Sequence, residues 1–181
     1  MIRRRARRAL GAGLIAAAIL GSSAIAGPER VPYPADYQTR FVQYNSVERP
    51  DRKPAQIRFF YANKESFEAM RAGQPAPNGT VLVMEDRYAK LDAAGNPILD
   101  AKGRWIPTDE VITIAVQEKR AGWGEAIPTN KRNGDWDYSA FTPKGEMRPN
   151  LSTDSCFTCH LNRTKSDYTF TYLKYFADKA K

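Results

Sequence analysis

Both cysteines and the only histidine of this 181-residue chain fall within five residues, Cys156-Phe157-Thr158-Cys159-His160. A thiol at i, a second at i+3 and an imidazole at i+4 lie on one face of a helical turn. So arranged, the two sulfurs reach the two vinyl groups along one edge of a porphyrin, and the imidazole stands under the iron as axial ligand. C-x-x-C-H is therefore the spacing of covalent c-type haem attachment, here one haem c carried by Cys156 and Cys159 with His160 on the iron. Two other chemistries use the same residues. A redox-active Cys156–Cys159 pair belongs between a strand and a helix in a βαβ pattern, which the flanking sequence does not offer. A zinc site needs a fourth ligand and usually more thiolates or imidazoles than this chain holds. The second ring nitrogen of His160 is expected to donate to a carbonyl or carboxylate that fixes the ring.

The start of the chain bears on where such a group is attached. Residues 1–8 read Met-Ile-Arg-Arg-Arg-Ala-Arg-Arg, an apolar run follows from Ala9 to Leu20, and small residues lead to Ala24-Ile25-Ala26. These are the three parts of a signal peptide over residues 1–26, leaving a single haem domain over 27–181. An uncleaved membrane anchor is the alternative, though Gly, Ser and Ala dilute the run. Export through such a leader places the protein in the periplasm, an oxidising compartment, with the membrane involved only in transit. It also changes the charge. The whole chain carries 28 basic and 20 acidic residues, a net +8. Without Arg3, Arg4, Arg5, Arg7 and Arg8 the balance falls to 23 against 20, or +3. The remaining charges are interspersed, so no basic stripe is left for nucleic acid.

The elements that must position the motif are mostly strands. Residues 27–55 form an arm with five prolines (Pro28, Pro32, Pro34, Pro50, Pro54), in which Tyr37, Phe41 and Tyr44 suggest one short helix over 35–43. Gln56–Ala62 reads as a strand with Ile57, Phe59 and Tyr61 on one face and Arg58 and Phe60 on the other. Asn63 is placed to cap a helix over Lys64–Ala72 that stops at Gly73. Thr80–Tyr88 is a second strand, separating Val81 and Val83 from Leu82 and Met84. The stretch 91–104, with Asp92-Ala-Ala-Gly95 and Asp100-Ala-Lys-Gly103, is a hairpin excursion. Val111–Glu118 and Trp136–Phe141 supply two more strands, and Trp105, Trp123 and Trp136 read as core or interface anchors. The expected class is α+β, a small antiparallel β-sheet with flanking helices and a C-terminal c-type haem-binding segment.

A haem motif at the C-terminal end of a strand-rich chain resembles the cytochrome P-460 family and its relatives, the cytochromes c-prime-beta. The resemblance runs through Pro34-x-x-Tyr37, Ile57-Arg58-Phe59-Phe60-Tyr61-Ala62-Asn63, Glu65-Ser66-Phe67 and Gly79-Thr80-Val81-Leu82-Val83. It continues through Leu151-Ser-Thr-Asp154-Ser155-Cys156-Phe-Thr-Cys159-His160 and Asp167-Tyr168-Thr169-Phe170-Thr171, covering about Tyr33 to Phe176. It implies one c-type haem per chain, a five-coordinate His-ligated iron and commonly a homodimer. It also implies hydroxylamine oxidation, or binding of nitric oxide and carbon monoxide without turnover. The hydroxylamine oxidisers carry a lysine cross-linked to the porphyrin where this chain has Met84, and no lysine occurs between Lys64 and Lys90.

Strand alternation puts Arg58 and Phe60 on one face of the first strand and Leu82 and Met84 on one face of the second. Where these faces coincide they form a mostly apolar wall with one cation, a candidate distal haem pocket, with ordinary core the alternative for Phe60 and Leu82 and a solvated face for Arg58. Met84 has three readings: core filler, distal wall, or sixth iron ligand. Three functions follow. One is a non-catalytic protein binding nitric oxide or a similar small gaseous or nitrogenous ligand at an open site. The second is a hydroxylamine-oxidising or peroxidase-like enzyme, with Arg58 or a carboxylate such as Glu146 assisting proton transfer. The third is a His160/Met84 electron carrier with a redox partner protein.

Overall fold

Each strand carries apolar residues on both of its faces, so both sides of the sheet must be covered. The computed structural model describes residues 28–181; the signal peptide expected over 1–26 lies outside the described residues. The strands are β1 (Phe41–Arg49), β2 (Gln56–Asn63), β3 (Val81–Ala89), β4 (Pro107–Lys119) and β5 (Trp136–Phe141). They form one five-stranded antiparallel sheet in the order of the sequence. Four helices accompany it: α1 (Tyr37–Arg40), α2 (Lys64–Ala69), α3 (Asp154–Leu161) and α4 (Tyr172–Lys179). The α+β class read from the sequence is the one observed.

Register decides which residues share a face, because directly paired residues point the same way. Across β2, β3, β4 and β5, one row is Ala62, Leu82, Gln117 and Tyr138. The next row along the same face is Phe60, Met84, Ala115 and Ala140. The third holds Arg58, Asp86 and Thr113. The opposite face presents Tyr61, Val83, Val116, Ile114 and Phe141, and the N-terminal arm buries it with Val31, Tyr33 and Tyr37. That face also encloses a carboxylate, Glu85, which accepts from the Tyr37 hydroxyl, from Gln38 Nε2 at 2.7 Å and from Arg87 Nε at 2.5 Å. Arg30 fastens the arm further by donating to Asp137 at 2.5 Å and to the Trp123 carbonyl at 3.0 Å.

Three elements depart from the sequence reading. The helix expected over 35–43 is a single turn, and Phe41–Arg49 is an edge strand within what reads as a proline-rich arm. A bulge between Gln43 and Asn45 shifts the register, which breaks the alternation that would have revealed it. Second, α2 ends at Ala69 rather than Ala72, because Met70 turns to extended backbone and enters the core, 4% exposed. Asn63 makes no side-chain cap there. Its amide instead clips the turn before β3, donating to the Gly79 carbonyl at 3.2 Å and accepting from the Val81 N–H at 2.8 Å. Third, α4 closes the C-terminus, packing Tyr172, Tyr175 and Phe176 against Tyr44 and Phe67. The 91–104 excursion is a hairpin as expected, with Leu91 bridging Pro97 and Leu99 bridging Trp105. Trp136 is wholly buried, whereas Trp105 and Trp123 are half-buried.

Candidate haem site

The five-residue motif lies within α3, so its thiols and imidazole follow helical spacing. Phe157 anchors the helix, meeting the Tyr138 ring edge-on at 4.9 Å between centroids. Asn133, fully buried, donates to the Phe157 carbonyl at 3.1 Å and to the Tyr138 hydroxyl at 2.9 Å. With that side of α3 fixed to the sheet, Cys156 is half-buried and Cys159 is exposed. Both are free thiols that line a cavity between α3 and the sheet. Burial pushes the Cys156 thiol pKa up.

His160 lines the same cavity between two rings, Tyr138 at 4.9 Å and Phe170 at 4.8 Å. Its Nδ1 lies 2.6 Å from the Tyr168 carbonyl oxygen and donates to it. This is the carbonyl acceptor the sequence left unnamed, and it fixes the tautomer that leaves the Nε2 lone pair free to bind a metal. Burial lowers the imidazole pKa, with the Tyr168 carbonyl pulling the other way. The neutral ring is thereby favoured, which is the form a metal requires.

The cavity has a volume of about 460 Å³. Arg58, Phe60, Leu82 and Met84 all line it, so the wall read from strand alternation faces the same space as Cys156, Cys159 and His160. Phe60 and Met84 are direct partners across β2 and β3 and are neither fully buried nor exposed, as suits a cavity lining. The expectation of a single cation is incomplete, since Arg49 also lines the cavity. Nor is Arg58 solvated alone: its Nε and Nη2 donate to the two Asp86 oxygens at 2.7 and 2.8 Å. Glu146 is exposed in the hairpin after β5 and does not belong to the site.

Sequence reasoning missed Asp86, Gln117, Tyr138 and Phe170. Asp86 stands two residues beyond Met84 on one strand, so the alternation that placed Met84 also placed it. Gln117 follows the apolar run Ile114-Ala115-Val116 and points to the opposite face from Val116, so alternation alone put it on the same side as Ala115. Tyr138 and Phe170 carried no local signal, because only the docking of α3 brings them to the imidazole.

These residues fit a haem. The wall is mainly apolar, the two thiols and the imidazole share one turn, and the imidazole is held in its metal-binding tautomer. Among the described residues, no three His, Cys, Asp or Glu side chains converge to hold a bare metal ion. The family model for cytochrome P460 matches residues 34–171, well over half of the chain. The chain belongs to the cytochrome P460 family. No curated protein matches the sequence. Membership of the cytochrome P460 family implies a haem-binding cytochrome, in agreement with the resemblance carried by the sequence motifs. The matched region runs from the arm before α1 through all five strands to Thr171, and so includes the C-x-x-C-H turn and the carbonyl behind His160.

Proposed function

We propose that this is an exported, periplasmic mono-haem c-type cytochrome that binds nitric oxide or a similar small diatomic at an open, largely apolar distal site. In this reading Cys156 and Cys159 carry the two thioether bonds, His160 is the axial ligand, and Arg58, Phe60 and Met84 form the distal wall. The observation that carries it is the convergence of the C-x-x-C-H turn and the Phe60–Met84 wall on one cavity. The haem would supply an iron centre able to bind a diatomic or exchange one electron. The protein's part is to hold the ring through α3, orient the imidazole through the Tyr168 carbonyl, and exclude water with Phe60, Leu82 and Met84. An apolar wall favours neutral diatomics over charged ligands. Homodimerisation belongs to the same reading, and a redox partner protein to the electron-carrier alternative.

Absorption spectra of the purified protein, oxidised and reduced, with and without nitric oxide and carbon monoxide, test it. A high-spin iron that takes up either gas on reduction is the expected result. Absence of binding by both would refute the diatomic reading. A low-spin iron turned high-spin by Met84→Ala would show instead a His160/Met84 electron carrier.

A second reading, hydroxylamine oxidation or peroxidase-like turnover, draws support from the Arg58–Asp86 pair beside an otherwise apolar wall. A carboxylate beside the cavity is a candidate proton acceptor, and the guanidinium holds it in place. Against it stands Met84, which cannot form the amine–porphyrin bond of the hydroxylamine oxidisers. Turnover of hydroxylamine with an electron acceptor, lost in Asp86→Asn, would establish this reading.

A further inference from the structure

Two consecutive non-glycine residues behind the axial histidine, Asp167 and Tyr168, have left-handed backbone, with φ of 48° and 57°. L-residues adopt this region at a steric cost, and they stay there only when their surroundings hold them. Asp167 is held at its carboxylate. Its Oδ2 accepts from Lys119 Nζ at 2.8 Å and from the Ala76 N–H at 2.9 Å. Lys119 Nζ also donates to the Ala76 carbonyl at 2.9 Å, and it lies 5.7 Å from the centre of the Trp136 ring. Tyr168 is held at its carbonyl, which accepts from His160 Nδ1 at 2.6 Å and from Gln117 Nε2 at 3.0 Å. Gln117 and Lys119 are alternate residues of β4, so one strand supplies both braces.

We infer that Gln117 and the Lys119–Asp167 ion pair are positioning residues for the axial ligand. They keep the Tyr168 carbonyl on His160 Nδ1 in a backbone conformation that would otherwise relax, and so set how strongly the imidazole donates to iron. The inference rests on the haem ligation proposed above. A hydrogen bond from Nδ1 raises the basicity of the ligating nitrogen, and a more basic ligand favours the ferric state. A carbonyl oxygen has two lone pairs, so Gln117 and His160 occupy separate sites on Tyr168 rather than competing for one. Loss of either brace frees the carbonyl to withdraw, which weakens the bond to His160 and shifts the iron toward the ferrous state.

The test uses the exported, haem-loaded protein and three variants: Gln117→Leu, Asp167→Asn and Lys119→Arg, the last of which preserves the ion pair. Resonance Raman spectra of the ferrous form report the iron–histidine stretch, and redox titration reports the midpoint potential. Gln117→Leu and Asp167→Asn should each lower the stretch. Each should also shift the ferric/ferrous ratio at fixed poise by up to about tenfold toward ferrous, or ~59 mV. Lys119→Arg should match the wild type. If both disruptive variants are destabilised yet keep the wild-type stretch and potential, or if the potential falls, the inference is overturned. The two disruptions lie on different elements, so failure of one to fold leaves the other to decide. A wild-type protein without covalently bound haem, or without a histidine stretch abolished by His160→Gly, would instead overturn the ligation beneath it.

Discussion

Consider Arg58→Met and Asp86→Ala, made singly and together in the haem-loaded protein. The pair is bidentate, with N···O distances of 2.7 and 2.8 Å. The Asp86 side chain is 9% exposed and that of Arg58 20%. Two unit charges about 4 Å apart attract by ~4 kcal/mol at an effective dielectric of about 20. Water at the guanidinium and the cost of desolvating the carboxylate offset roughly half of that. A coupling of about 2 kcal/mol remains, inside the range for residues in contact. Asp86→Ala leaves a cation that turns toward solvent, at a cost of about 2 kcal/mol. Arg58→Met strands an enclosed carboxylate and should cost about 3 kcal/mol. The double variant should then lose about 3 kcal/mol rather than 5. Urea unfolding followed by haem absorption and far-ultraviolet dichroism gives all four free energies. Additive single effects, with a coupling below about 0.5 kcal/mol, would show that the two side chains do not sustain each other.

Four further outcomes follow from the same contacts. Tyr37→Phe removes one donor to the fully buried Glu85 without opening a cavity, and should cost about 1.5–3 kcal/mol, or a Tm lower by roughly 5 °C; an unchanged Tm would mean that Gln38 and Arg87 suffice. Burial, aided by the Glu85 charge, pushes Tyr61 up to about 12 and raises Tyr37 further. Their folded pKa values exceed the unfolded value near 10, so this stability is complete below pH 10 and lost as pH climbs from 10 toward 12. Urea midpoints read beside phenolate absorbance should fall over that interval, and a flat profile contradicts the assignment. Cys156→Ala and Cys159→Ala should each retain haem through one thioether, while the double variant loses it on denaturation; intact-mass measurement decides, and haem mass on the denatured double variant would refute thioether attachment. Asp86→Asn releases Arg58 from its pair, so azide should bind the ferric form about tenfold more tightly with carbon monoxide affinity unchanged; equal effects on both ligands would show that charge is not the cause.

How far the fold could be read from the sequence depended on how local each signal was. Period-2 alternation is a property of consecutive residues, so β2 and β3 and their faces were legible, as was the existence of β5, along with the placement of Arg58 and Phe60 on one face and Leu82 and Met84 on another. The same rule failed for β1, where the bulge at Gln43–Asn45 shifts the pattern by one residue and the prolines on either side suggest a loop. The helix stop read at Gly73 missed the end of α2 because Met70 obeys the core and not the helix. The C-x-x-C-H motif stood out because its two thiols and imidazole are confined to five residues. The Tyr168 carbonyl was not, because a backbone acceptor has no residue type to recognise. Its role exists only once Lys119 and Gln117, some fifty positions earlier, have fixed the loop.

The alternation of β3 ties the two faces of the sheet together. Leu82 and Met84 face the cavity and Asp86 braces it, while the intervening Val83 and Glu85 are buried beneath the N-terminal arm with Arg87 on the Glu85 carboxylate. A strand with both faces committed can neither slip by one residue nor rotate without exposing apolar surface on one side and burying charge on the other. Glu85 is the strongest such constraint, because its carboxylate takes hydrogen bonds from Tyr37, Gln38 and Arg87 and no water reaches it. The arm therefore does more than cover a core. By fixing Glu85 on one side it fixes the height of Met84 on the other, and with it, in the proposed reading, the distance from the cavity wall to a ligand on the iron. A loosened arm should be felt first in ligand affinity and only later in unfolding, since local opening of a strand costs less than global unfolding.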